Sequence, residues 1–230
     1  MLKMDKTMKE KLLLIWKDPD SRTRYTIGEL IKNDNEYLFH YVNPELNSAL
    51  DKKFTTYPGF PNYEEEYKSE NLFPNISGRL PNKKREDYIE ILNYYDLENN
   101  AGDFEILKQT KGRLITDNFE FVPDFDKNKI EFEVAGTRYS KDLMENKDKI
   151  KNDSVLRLEV VNYKDEPAVK ILTNVDNNLI ELGYVPRYYA KEVANLLKDN
   201  VNYSAMIKKI RFDSQNPDEN ITASVKLLFD

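Results

Sequence analysis

The chain contains no cysteine, which excludes disulfides, thiolate metal centres and cysteine nucleophiles and fits a reducing compartment. It contains one histidine, His40, inside an alternating segment, where imidazole reads as a packing or surface residue rather than a catalytic base. Its seven glycines are scattered, so no G-x-G-x-x-G or G-K-[ST] phosphate loop forms, and no G-x-S-x-G, H-R-D or D-F-G pattern occurs. The longest apolar run, 12–16, is far short of the roughly 20 residues of a membrane span. Residues 1–10 are charged and lack the apolar stretch of a secretory signal. The acidic run Glu64-Glu65-Glu66 has no histidine or cysteine beside it and reads as a solvated face. The expectation is a soluble cytoplasmic protein without membrane contact, catalytic residues, metal or cofactor, one that is not an enzyme and works by binding.

What the chain does have is aromatic mass: 15 tyrosines, 11 phenylalanines and one tryptophan in 230 residues, ample for packed cores. Charge is unevenly spread. Residues 129–212 carry 15 Lys/Arg against 13 Asp/Glu, a balance of +2, and the remainder carries 20 against 28, or −8. An acidic first part joined to a mildly basic second part suggests two units with different partners.

In the first part, residues 11–16, 24–30 and 36–42 read as strands, separated by the turn-formers Asp18-Pro19-Asp20-Ser21 and Asn33-Asp34-Asn35. Leu46 and Leu50 predict a short helix, and helical spacing returns over 63–71. Pro74 and Gly78 break 72–80. Tyr88, Ile91, Leu92 and Tyr95 share one face of a helix predicted over 83–95, with Asn82 as its N-cap. A short helix over 103–109, ended by Gly112, and a strand over 118–122 close the unit. The polar, proline-led piece 123–128 is the natural boundary, giving domains at 1–122 and 129–230.

Beyond it, strands dominate: Ile130, Phe132 and Val134 alternate, as do Leu156, Leu158 and Val160, then Val169 and Ile171. Further strands are predicted at 179–185, 204–212 and from Ile221 through Ala223, Val225 and Leu227 to Phe229. An amphipathic helix over 188–198 turns Tyr189, Val193, Leu196 and Leu197 inward. Short strands with one helix suggest a small curled sheet or barrel, and the fold class is α+β: an antiparallel sheet with helices, then a small β-barrel with a helix.

Three blocks of the second part, FEVAGTRY at 132–139, LEVVNYKDEPAV at 158–169 and LGYVPRYYA at 182–190, resemble the HIRAN domain in order and spacing. The resemblance implies an OB- or SH3-like barrel that grips DNA, in some members the 3′ end of a single strand, with aromatic rings stacked on bases. By position it implies a nucleic-acid site made of Arg138, Tyr139, Asn162, Asp165, Tyr184 and Arg187. Lys164 stands where the family has tyrosine, and Tyr163 precedes it by one residue, a shift that in a strand turns the ring to the opposite face.

The first part resembles the N-terminal subdomain of HipA-type toxin kinases through YTIGEL at 25–30, YLFHY at 37–41, LFPNISGRLP at 72–81 and DFEIL at 103–107 ahead of Gly112. No segment matches the kinase's ATP loop or catalytic aspartates. The resemblance implies a bacterial toxin–antitoxin setting in which this part docks on a HipA-like kinase through Phe73, Arg79 and Leu80 and restrains it.

Overall fold

The computed structural model describes residues 9–163, 166–212 and 220–228, and for Leu227 and Leu228 the backbone alone. The chain divides into two compact units between Asp124 and Phe125, inside the proline-led piece.

The first unit is a five-stranded antiparallel sheet. Strands β1 (Glu10–Lys17), β2 (Arg24–Lys32) and β3 (Tyr37–Tyr41) form a meander, and β4 (Tyr67–Ser69) and β5 (Phe119–Pro123) complete the order β4-β3-β2-β1-β5. The apolar run 12–16 is explained by position: β1 is an inner strand whose residues are buried on both faces. Helices α1 (Glu45–Leu50), α2 (Pro74–Ser77), α3 (Tyr88–Tyr94) and α4 (Asp103–Thr110) occupy the connections.

The core is aromatic. Phe39 lies 4.1 Å from Phe60, centroid to centroid, and Phe60 packs edge-on against Phe73 at 5.0 Å. This aromatic demand corrects the helical reading of 63–71. Tyr67 pairs with Phe39 across the β3–β4 ladder and sets its ring 4.8 Å from that of Phe60, which needs extended backbone. The helix expected over 83–95 starts only at Tyr88. Asn82 is spent on an Asx turn, its Oδ1 accepting from the Lys84 amide at 2.9 Å, so it does not cap the helix.

Strands β6 (Lys129–Glu133), β7 (Leu156–Tyr163), β8 (Glu166–Val175), β9 (Asn178–Tyr184), β10 (Asn202–Ile210) and β11 (Ile221–Leu228) build the second unit. Two helices join them: α5 (Lys141–Glu145), which the sequence reading missed, and the amphipathic α6 (Arg187–Lys198). Ser140 caps α5 by accepting the Leu143 amide at 3.1 Å.

Among the described residues the strands form two three-stranded antiparallel sheets, β10-β11-β6 and β7-β8-β9, rather than one closed barrel. Single antiparallel bridges link them at two corners, Ala135 with Tyr184 and Val155 with Met206. One core fills the space between: Phe132, Val134, Leu158, Val169, Ile171, Leu182, Tyr189, Val193, Ile207 and Val225 all belong to it. From α6, Tyr189 and Val193 are buried as expected, with Ala190 and Ala194 beside them, whereas Leu196 and Leu197 are only partly buried. Among the described residues no helix is long and apolar enough to cross a membrane.

Candidate nucleic-acid interface

The site begins at the Ala135–Tyr184 corner. The Ala135 amide donates to the Tyr184 carbonyl at 2.8 Å, and the Tyr184 amide returns the bond to Ala135 at 2.9 Å. Gly183 makes this approach possible. With φ at +147°, a Cβ there would lie 2.4 Å from the Ala135 oxygen, so only glycine fits. Gly136, at φ +79°, then turns the chain into a single 3₁₀ turn, Thr137–Tyr139. A Cβ placed on Gly136 would sit 3.9 Å from Cδ2 of Tyr184, so the turn springs from beside that ring.

The turn displays Arg138 and Tyr139 together. The Arg138 guanidinium lies 4.6 Å from the centre of the Tyr139 ring, a cation–π arrangement, and Tyr139 is 73% exposed. Among the described residues no carboxylate comes within ion-pair distance of Arg138.

Tyr184 lies on the outer face of the β7-β8-β9 sheet. Residues opposed in an antiparallel ladder point to one side, so the register Glu159↔Lys170↔Tyr184 places these three on that face. Tyr163, four residues after Glu159, shares it, and its ring lies 6.4 Å from that of Tyr184. Tyr163 is therefore not turned away from Tyr184, and it is a candidate stacking ring although it stands one residue before the position where the family has tyrosine. The same parity corrects Asn162, which projects from the other side of β7, away from Tyr184. Asp165 lies outside the described residues.

Lys170 and Arg187 are both paired with carboxylates. Lys170 Nζ lies 3.0 Å from Glu181, whose hydrogen bond holds the ammonium pKa above its usual range. Burial first, and then the Glu181 carboxylate, push the Tyr184 phenol upward, so it stays protonated at neutral pH. Arg187 is not an open cation either. Its Nε and Nη2 bond the two Glu166 oxygens at 3.0 and 2.9 Å, and that pairing lowers the Glu166 pKa.

In the first unit, the expected docking residues turn inward. Phe73 is 8% exposed and packed on Phe60. Arg79 is buried, bonding Asp117 with two nitrogens at 2.7 and 2.8 Å and the Gly112 carbonyl at 2.7 Å. Burial disfavours its charge, but the Asp117 hydrogen bond and the nearby Tyr57 and Asp117 oxygens together outweigh it, so its pKa is raised. Leu80 is partly buried, packed against the main aromatic core and against the Leu92–Leu97–Ile106 cluster. These residues hold the unit together and offer little surface to a partner.

The second unit is thus a small two-sheet module with an exposed arginine–tyrosine pair on a turn that starts beside Tyr184, and with Tyr163 and Tyr184 paired on one sheet face. Residues 127–227 match the model of the HIRAN domain, so the chain carries a HIRAN domain over that stretch. No curated protein and no solved structure matches the chain.

Proposed function

We propose that the chain is a non-catalytic DNA-binding protein whose HIRAN domain takes hold of a single strand or a strand end. The observation that carries this reading is Arg138 lying over the open ring of Tyr139 with no described carboxylate to neutralise it. An exposed ring accepts any base by stacking, and a guanidinium accepts two phosphate oxygens in one plane. Tyr184 and Tyr163 extend the aromatic surface, so successive bases can be held along the outer face of the sheet.

The test is a titration of labelled single strands with free and with blocked 3′ ends, read by fluorescence anisotropy. Tighter binding of the free end supports end recognition, and equal binding reduces the reading to single-strand binding. No binding at low salt removes it. Tyr139→Ala should weaken binding by about 1–3 kcal/mol, the worth of one stacked base. The side chain is exposed, so melting should not change.

A further inference from the structure

Glu166 opens β8 directly opposite Tyr163, at the end of the hairpin that carries this candidate stacking ring. Arg187 opens α6, three residues after Tyr184. Their two-point bond joins the hairpin end to the start of the helix. The same planar fork fits a pair of phosphate oxygens. Glu166 keeps 58% of its side chain in solvent, so an external anion can reach the pair and water screens it. Of Arg138, Lys170 and Arg187, only Arg138 has no carboxylate partner among the described residues.

We infer that Glu166 is a built-in competitor for the ligand's phosphate: it holds the Arg187 fork at two points in the free protein, and a nucleic-acid strand that takes this fork displaces it. This rests on the DNA-binding reading of the site. The strand meets Arg138 first and Arg187 second. Displacing Glu166 also unfastens the hairpin end bearing Tyr163, so phosphate capture and the spacing of the Tyr163 and Tyr184 rings are coupled through one ion pair. Glu166 thereby sets a threshold, favouring a ligand that brings a base and a second phosphate over one that brings a phosphate alone.

The experiment measures binding of a labelled oligothymidylate to the full chain across a salt series, for the wild type, Glu166→Gln and the double variant Glu166→Gln with Arg187→Gln. The single variant should bind about fivefold tighter, the scale of an exposed ion pair no longer to be broken. Its log–log salt slope should steepen by up to about 0.7, because the carboxylate set free when the wild type binds offsets one neutralised phosphate and the variant sets none free. Both gains should vanish in the double variant. A single variant indistinguishable from wild type overturns the competitor role and leaves DNA binding standing. A gain that survives in the double variant overturns it too, because Arg187 is then not the group released. Absence of wild-type binding at every salt concentration overturns both readings together.

Discussion

At the scale of single residues, the chain spends its buried charge in the first unit on structure. Glu120 is 5% exposed, with Arg24 Nε at 2.7 Å and Arg113 Nη2 at 2.6 Å. Burial alone would raise its pKa, but Arg113, Arg24 and Lys111 outweigh it and hold the carboxyl far below the usual range. A carboxylate depressed in the folded state stabilises fully above its unfolded pKa, about 4.5, and loses that contribution as pH falls below it. Glu120→Gln, which leaves the partly buried Arg24 and Arg113 guanidinium groups facing a buried neutral amide, should cost about 3 kcal/mol at pH 7. Urea midpoints measured from pH 7 down to pH 3 should show the gap between variant and wild type closing as acid is added. A constant gap would mean the loss is steric rather than electrostatic.

At the scale of elements, the decisive feature is the corner where β6 runs into the 3₁₀ turn beside β9. Gly183 lets two backbones touch there, and the touch aims Arg138 and Tyr139. Gly183→Ala drives a methyl group into the Ala135 carbonyl and should cost about 1–3 kcal/mol, as overpacking does. It should also weaken oligonucleotide binding although residue 183 itself is buried, because the platform loses its anchor. Denaturant melting and anisotropy on the same preparation separate the two effects, and intact binding would show that the turn holds its shape alone.

Element order was largely legible in the sequence because period-two alternation over Ile130, Phe132 and Val134, or over Leu156 and Leu158, reports which side faces a core. The reading failed where local pattern and long-range pairing disagree. Tyr67 sits in helix-like spacing but is claimed by Phe39 across a ladder. Asn82 looks like a cap but closes its own turn. The helix α5 is too short, at five residues, to show a period, and its one signal was Ser140 three residues ahead of Leu143.

At the scale of the whole molecule, charge opposes the proposed ligand. The net charge is −6, so a polyanion gains nothing from long-range attraction, and affinity must come from local contacts. With Arg138 as the open cation and Arg187 released in exchange for Glu166, one to two phosphates are neutralised. The log–log salt slope for a single strand should therefore lie between about −0.7 and −1.4. A slope several times steeper would point to a broad basic track elsewhere on the chain.

The sequence by itself determined most of the strands and the amphipathic helix, because periodicity and turn chemistry are local properties of the chain. Only the tertiary structure decided which candidates share a face. Asn162 and Tyr163 are adjacent in sequence yet point to opposite sides of β7, and Tyr163 is the one that meets Tyr184. It alone also decided which cations are spoken for, since Arg187 finds Glu166 and Arg79 finds Asp117 across 21 and 38 residues of chain. The physical reason is that ion pairing and ring contact fall off within a few ångströms, and folding sets those distances.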